Sequence, residues 1–263
     1  MIKIIVCMKQ VPAGTSVEID PETGAMKRLG SESCTNPYDL FALETALFLK
    51  EKLGGTVTVL TMGPLQAEEM MRDAYAMGAD DAVILSDRKF AGADVLATSY
   101  TLAQGIMILG GADLILCGRQ TTDGDTAQVG PAIAQHLGLP HAAWVSQITD
   151  ADDTKIQVKQ DLASVTQISE IPYPCLITVE KDICVPRLPS YLLQRATAKK
   201  PVHILTFRDF YDQDESHYGL AGSPTSVESM FAPPEKEKQV YIEGNAIEKT
   251  DQLFSILKSR KII

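Results

Sequence analysis

The chain opens on a strand that is apolar on both faces. Residues 2–8 read IKIIVCM, an uninterrupted and mostly β-branched run, which is typical of a strand buried on both sides in a parallel sheet. Strand and helix patterns then alternate with short joints, with strands at 56–62, 82–85 and 113–117 and helices at 37–53, 65–77, 93–109 and 127–137. Because right-handed helical crossovers connect parallel strands, this alternation predicts an α/β fold, a mostly parallel sheet with helices on both faces.

The first predicted helix carries its own start and stop signals. Asn36 is a preferred N-cap residue, Pro37 suits the first helical position, and Gly54 with Gly55 ends the helix. Before it, residues 17–27 alternate weakly around a Pro21–Gly24 turn, which predicts a hairpin.

The pattern changes after Pro140. Short strand segments separated by Asp, Thr and Pro turns predict added antiparallel strands at 143–149, 155–160, 164–168 and 175–180. Residues 182–200 are irregular, and residues 209–239 are polar and aperiodic, so they predict an extended arm that buries little.

The C-terminus predicts one more amphipathic helix, at residues 245–259. Asn245 and Glu248 have the spacing of a cap pair, and Ile247, Phe254 and Leu257 share one side. A helix at the end of a polar arm needs a surface to pack on, which is either this domain or a second chain.

Charge and composition exclude several classes of protein. The chain has 24 Lys and Arg against 34 Asp and Glu, a net charge of −10, which disfavours nucleic acid and anionic membrane surfaces as partners. No run reaches the roughly 18 to 20 apolar residues of a spanning helix, and no signal-peptide pattern is present, so we expect a cytoplasmic protein without membrane insertion. Five cysteines without a CxxC motif predict reduced thiols, with no metal site.

A ligand site is predicted at the carboxyl ends of the parallel strands, where loop amides and helix N-termini converge. Three such ends are residues 7–9, 62–64 and 117–119. The last opens into GRQTTDGDTAQVGP, residues 118–131, whose small residues, hydroxyls (Thr121, Thr122 and Thr126) and following helix N-terminus suit a phosphate. The alternative is that its glycines only shape a strand–loop–helix joint.

The charged residues of this loop have several possible roles. Asp125 is placed to cap the following helix, and Asp123 to accept a ribose hydroxyl or to hold loop amides. Lys9 and Arg119 are the nearby cations, and each is expected to pair either with a phosphate or with these aspartates.

Several common site motifs are missing. The sequence has no GxGxxG after the first strand, no GxxxxGK[ST], no GxSxG and no HExxH, which disfavours the usual dinucleotide folds, P-loop enzymes, α/β-hydrolases and zinc proteases. An ATP-hydrolysing or adenylating enzyme is a further alternative. The sequence lacks an SGGxDS-type loop after the first strand, which disfavours this alternative.

A set of motifs resembles one known family. VCMKQVP (6–12), NPYDLFALETALFLKEK (36–52), AMGADDAV (76–83), GRQTTDGDTAQVGP (118–131), LGLP (137–140) and CLITVEKDICVPRLPS (175–190) occur in the order and spacing of electron-transfer flavoprotein β subunits. The resemblance covers residues 1–200, and the loop together with TGAMKRLGSESCTNPYD (23–39) is similar to the electron-bifurcating type.

The resemblance implies a Rossmann-like fold that binds FAD or, alternatively, a structural AMP in a scaffold subunit. With Lys9 from the strand-end argument, the implied cofactor-binding residues are Cys7, Lys9, Asn36, Pro37, Tyr38, Asp39, Met62, Gly118, Arg119, Gln120, Thr121, Thr122, Asp123, Gly124, Asp125, Thr126, Ala127, Gln128 and Val129. No catalytic side chain is implied, since the flavin carries the chemistry. NADH would be the electron donor.

The resemblance also implies partners and a division of the chain. Residues 1–200 would form the nucleotide-binding domain, with a docking segment at 183–195. For residues 201–263 the long polar arm and the apolar side of the last helix, rather than the resemblance, predict an arm and helix that pack on a partner subunit. The partners would be an electron-transfer flavoprotein α subunit, an acyl-CoA or other flavin-dependent dehydrogenase, and ferredoxin. The docking segment is slightly longer here than in the family pattern, which leaves its anchoring apolar residue open.

Overall fold

A computed structural model describes residues 1–13, 18–19, 26–27, 33–228 and 241–263. The helices are α1 (Pro37–Leu53), α2 (Glu68–Met77), α3 (Val95–Ile108), α4 (Val129–Leu137), α5 (Tyr191–Thr197) and α6 (Ala246–Ser259). The strands are β1 (Ile2–Cys7), β2 (Gln10–Pro12), β3 (Glu18–Ile19), β4 (Met26–Lys27), β5 (Ser33–Thr35), β6 (Gly55–Met62), β7 (Asp81–Leu85), β8 (Leu114–Gly118), β9 (His141–Ala151), β10 (Lys155–Asp161), β11 (Thr166–Pro172), β12 (Cys175–Val179) and β13 (His203–Leu205).

The main sheet has nine strands in the order β11-β10-β9-β12-β8-β1-β6-β7-β13. All neighbours from β9 to β13 in that order pair in parallel. Ile4 and Val6 of β1 pack with α1 and α2 on one face, while Ile5 packs with α3 and α4 on the other. The predicted parallel α/β fold with helices on both faces is confirmed.

The added antiparallel strands are confirmed in part. β9, β10 and β11 form an antiparallel meander at one edge, as predicted. The prediction is wrong for Cys175–Val179, since β12 lies between β8 and β9 and is parallel to both. All five of its side chains are buried, and a strand covered on both faces belongs in the interior of a parallel sheet.

The region after residue 200 returns to the sheet. β13 pairs with β7 at the far edge, and Phe207, Phe210 and Tyr218 are buried around Phe90, with Phe90 and Phe210 ring centroids 5.0 Å apart. The prediction that residues 209–239 bury little is therefore wrong for Phe210 and Tyr218, because single aromatic side chains bury large areas without any periodic pattern. Residues 229–240 lie outside the described part. The domain boundary at residue 200 stays a prediction.

The last helix begins as predicted. Asn245 accepts from the backbone N–H groups of Ile247 and Glu248, both at 3.0 Å, and the Glu248 carboxylate accepts from the Asn245 N–H. α6 has no buried residue, and Ile247 and Phe254 are exposed by 76% and 56%. Its packing on a partner subunit stays a prediction.

Two shorter observations complete the fold. β3 and β4 pair antiparallel as a hairpin requires, while the predicted turn at Pro21–Gly24 lies outside the described residues. Within the described residues, the structure has no helix of the length and apolarity that a membrane crossing requires.

Candidate functional site

Three strand ends meet at one edge of the sheet. β1 pairs with β6 on one side and β8 on the other, so that Cys7 lies opposite Leu60 and Cys117. The chain then enters α1 beside them, since the Asn36 N–H donates to the Lys9 carbonyl at 3.3 Å. The predicted residues at 7–9, 36–39 and 118–120 are therefore brought together, and half-buried Met62 ends β6 at the same edge.

The start of α1 lies directly against Gly118 at the end of β8. Its N–H donates to Asp39 Oδ1 at 3.1 Å. A Cβ at Gly118 would lie 2.5 Å from Asp39 Oδ1 and 2.6 Å from the Tyr38 carbonyl carbon. Only a residue without a side chain fits there, because the neighbouring backbone has no room to yield.

The cradle loop, residues 118–129, is fastened to α1 by Asn36. The Asn36 amide Nδ2 donates to the Gln120 carbonyl at 2.8 Å, and this side chain is fully buried. Asn36 occupies the N-cap position of α1 but makes no side-chain cap bond. The prediction that it caps the helix is wrong, because the amide is turned toward the loop instead.

The distal part of the cradle loop is folded by its own bonds. Gln120 Nε2 donates to Asp125 Oδ2 at 2.8 Å, and Thr121 Oγ1 donates to the Gly124 carbonyl at 3.0 Å. Asp125 therefore accepts a hydrogen bond from another residue of the loop and does not cap α4. The prediction that it caps the helix is wrong. α4 begins after Gln128 without any side-chain cap bond, so its first N–H groups stay available to a ligand.

The remaining loop residues lie at the surface or at its entry into the helix. Thr122, Gly124, Thr126 and Gln128 are exposed, and Val129 is half-buried. A Cβ at Gly124 would meet nothing within 4 Å, so the loop is open there. Ala127 has φ +53, a left-handed conformation that is uncommon for a residue with a Cβ and that turns the chain into α4.

Both predicted cations are already paired with carboxylates. Lys9 Nζ lies 2.8 Å from Asp123 Oδ1, and Arg119 Nη1 lies 2.6 Å from Glu180 Oε1. Burial works against the charge of Asp123, but the Lys9 hydrogen bond and charge, with bonds inside the loop, lower the pKa of this carboxyl. An anion at this site would therefore depend on backbone N–H groups and hydroxyls more than on free positive charge.

Trp144 and Glu180 belong to this edge and were missed by sequence reasoning. The Arg119 guanidinium carbon lies 4.3 Å from the centre of the Trp144 ring. Trp144 has φ +60, and its N–H donates to Thr178 Oγ1 at 2.9 Å. Trp144 lies within β9 and Glu180 directly follows β12, and no local pattern in the sequence shows that the two strands are neighbours.

The interior beneath the cradle loop holds groups that burial keeps neutral. Burial raises the pKa of Asp39 to about 8, against the opposing effects of the neighbouring Asn36 side chain, the hydrogen bond from the Gly118 N–H and the charge of Lys9. A hydrogen bond with Cys7, together with burial, raises the pKa of the Cys117 thiol well above its usual range. The Cys117 thiol is thus protonated.

The docking segment, residues 183–195, is anchored to α1 and exposes apolar side chains. The Arg187 guanidinium donates to both carboxylate oxygens of Glu44, at 2.8 Å and 2.9 Å, and to Glu51 Oε1 at 2.7 Å. The exposed side chains are Val185 at 89%, Leu188 at 86%, Tyr191 at 68% and Leu192 at 75%. The segment ends in α5, a helix that the sequence pattern did not predict. Contiguous exposed apolar groups on an anchored segment are typical of a protein-binding surface.

Comparison with known proteins gives consistent matches over the whole chain. The electron transfer flavoprotein domain model matches residues 23–209. An electron transfer flavoprotein subunit beta from Thermoanaerobacterium thermosaccharolyticum is 43% identical over 261 residues, 99% of both chains. The caffeyl-CoA reductase-Etf complex subunit CarD of Acetobacterium woodii is 44% identical over 263 residues, 99% of this chain and 100% of CarD. Protein FixA of Azorhizobium caulinodans is 42% identical over 265 residues, 98% and 94% of the two chains.

Proposed function

The chain belongs to the electron transfer flavoprotein β-subunit family, and on that premise we propose that it binds FAD at the cradle loop and receives a hydride from NADH. Bound flavin supplies the redox chemistry, passing electrons one at a time or in pairs. The chain's own residues bind and orient it, and they control the access of water. In this proposal the electrons go on to the flavin of an α subunit and to ferredoxin, as in flavin-based bifurcation.

The observation that carries the proposal is the uncapped N-terminus of α4 beside an exposed, hydroxyl-bearing loop. The first N–H groups of a helix are a ready site for phosphate oxygens, and the N-cap residue Gln128 makes no side-chain cap bond to them. The exposed hydroxyls of Thr122 and Thr126 add donors, and the open space at Gly124 lets a ligand approach the backbone. A diphosphate between two ribose-like groups, as in FAD, suits such a row of neutral donors.

The sequence of the loop supports FAD over AMP. TTDGDTAQVGP and the segment at 23–39 resemble the versions in electron-bifurcating members. CarD, whose name places it in a caffeyl-CoA reductase-Etf complex, matches over 99% of this chain. This match supports a place for the chain in a complex with an acyl-CoA-type reductase or dehydrogenase.

We further propose where the protein partners bind. The docking segment would contact the dehydrogenase, because Val185, Leu188 and Leu192 present apolar area on a support held by Arg187. α6 would pack on the α subunit, since Ile247 and Phe254 are both exposed in this chain. Burying large apolar side chains of this kind contributes about 1.5 to 3 kcal/mol each before ordering costs.

The test is a cofactor inventory of the complex of the full chain with its α subunit. We expect two flavins per heterodimer by absorbance after acid release, and bleaching of this chain's flavin by NADH without oxygen. One flavin plus one AMP would contradict the proposal and support the scaffold alternative.

A matched pair of variants then assigns the second flavin to this site. Gly124→Glu places a negative charge in the open part of the cradle loop, where the added Cβ has no neighbour within 4 Å. Gln167→Glu makes the same charge change on an exposed position of β11. We expect Gly124→Glu to lose most of the second flavin and Gln167→Glu to keep it. Equal flavin content in both would place the flavin elsewhere.

A further inference from the structure

Two buried oxygen atoms beneath the cradle loop have no hydrogen-bond partner among the described residues. They are Asn36 Oδ1 and Asp39 Oδ2. Asn36 is fully buried and Asp39 is 4% exposed, so bulk water does not reach either atom. Leaving such acceptors without a donor is costly in a protein interior, and an explanation is required for each.

The other atoms of these two side chains are committed to the cradle loop. Asn36 Nδ2 donates to the Gln120 carbonyl at 2.8 Å, and Asp39 Oδ1 accepts from the Gly118 N–H at 3.1 Å. The two residues lie three apart at the start of α1, which places their side chains on the same turn. Together they hold two of the first three residues of the loop that is proposed to bind the nucleotide.

One proton would serve both unpartnered oxygens, because the Asn36 side chain lies within hydrogen-bonding reach of the Asp39 carboxyl. An ionised carboxylate and an amide carbonyl are both acceptors, whereas a protonated carboxyl has one O–H to donate. We infer that Asp39 is a neutral acid that donates from Oδ2 to Asn36 Oδ1, and that this bond fixes the Asn36 amide on Gln120. Asp39 is then a positioning residue of the nucleotide site proposed above, and the inference rests on that proposal for its effect on binding.

The charged surroundings of Asp39 agree with this assignment. Lys9 favours the anion, but Lys9 is paired with Asp123, whose own charge acts in the opposite direction. The partial positive charge at the start of α1 also favours the anion. From β8 the Cys117 thiol faces Asp39, and this thiol is hydrogen-bonded to Cys7 and offers no charge. Burial is the largest influence, and it raises the pKa of Asp39 to about 8.

The inference makes nucleotide binding dependent on pH. If the nucleotide binds only the form in which protonated Asp39 donates to Asn36, its apparent dissociation constant rises as the population of that form falls. For a pKa of about 8, the protonated fraction falls about tenfold between pH 7 and pH 9. Asp39→Asn keeps an acceptor for Gly118 and a donor for Asn36 at every pH, and we expect its affinity to stay flat over this range.

The first experiment reads the proton directly and needs no cofactor. In the complex with the α subunit, infrared difference spectra between wild type and Asp39→Asn are recorded at pH 7. We expect a protonated-carboxyl band that is lost in Asp39→Asn, retained in Asp123→Asn, and titrated away near pH 8. Absence of the band in wild type would overturn the inference, whatever the cofactor proves to be.

The second experiment measures binding of FAD and of AMP between pH 7 and pH 9. We expect the dissociation constant of wild type to rise about tenfold, and that of Asp39→Asn to stay constant. A flat wild-type profile would overturn the inference, while absence of FAD binding with a titrating infrared band would overturn only the proposed function. Should Asp39→Asn fail to fold, the ¹³C resonance of the wild-type Asp39 carboxyl, titrated by NMR, decides the question.

Discussion

Replacing Gly118 by alanine tests how closely α1 packs on the sheet at the cradle loop. The added Cβ would lie 2.5 Å from Asp39 Oδ1, 2.6 Å from the Tyr38 carbonyl carbon and 2.8 Å from Tyr38 Cβ. One of these atoms is backbone at the start of α1, so no side-chain rotation relieves the contact. The start of the helix or the end of β8 must move by about 1 Å to restore ordinary packing distances.

The expected loss of stability follows from two contributions. Forcing one extra carbon into a packed interior costs about 1 to 3 kcal/mol. The same displacement lengthens the bond from the Gly118 N–H to Asp39, and a net loss of about 1 kcal/mol is typical of such a bond. We therefore expect a loss of roughly 3 kcal/mol, which for a chain of this size lowers the melting temperature by about 6 to 12 °C.

Gly124→Ala is the matched control, since its Cβ meets nothing within 4 Å and its φ is not positive. We expect the free energy of unfolding of this variant to lie within about 0.5 kcal/mol of the wild-type value. The two variants are compared by thermal unfolding followed by circular dichroism. Flavin content is measured on the same samples. A melting temperature for Gly118→Ala equal to that of Gly124→Ala would refute the reasoning about close approach.

Two further predictions concern regions outside the cradle loop. Deleting residues 241–263 should leave the melting temperature of the sheet domain unchanged, because α6 has no buried residue. The same deletion should reduce recovery of the α subunit in co-purification. Full recovery would contradict the role of α6 as an intersubunit contact. His217→Asn should lower the melting temperature at pH 5.5 and leave it unchanged at pH 9, with His141→Asn as control. The hydrogen bond that His217 Nδ1 donates to Asp212 Oδ2, 2.5 Å away, raises the pKa of His217. Its stabilisation is therefore present below about pH 6.5 and is lost as the pH rises through the raised value. Equal effects at both pH values would contradict this.

The local elements were predictable because their signals are local. The β-branched run at 2–8 and the helix that starts at Pro37 appear where the sequence predicts them. Burial on both faces, proline at the first helical position and glycine at the helix end are all signals carried by neighbouring residues. α5 and β13 were not predicted. Each is short, at seven and three residues, and both have mostly exposed side chains, so neither carries a period that a sequence can show.

The order of the strands was harder to predict than the elements themselves. Site residues whose position depends on that order were therefore missed. Short turns between 143 and 180 favour antiparallel neighbours, but β12 inserts between β8 and β9. Its register places Val179 opposite Gly118, which brings Glu180 beside Arg119. The alternative that Arg119 pairs with a loop aspartate is wrong for this reason, and its pairing with a phosphate stays a prediction. The pairing of Lys9 with Asp123 was among the stated alternatives and is confirmed.

The cradle loop and the docking segment share α1 as a common support. The first turn of this helix holds Gly118 and Gln120 through Asp39 and Asn36. Glu44, about 8 Å further along the same helix, holds Arg187 of the docking segment at two oxygens. The chain after β12 makes a second link, because only residues 181–182 separate Glu180, the partner of Arg119, from that segment. A shift of α1 therefore acts on both surfaces at once, and Gly118→Ala is the substitution that pushes on this helix from the nucleotide side.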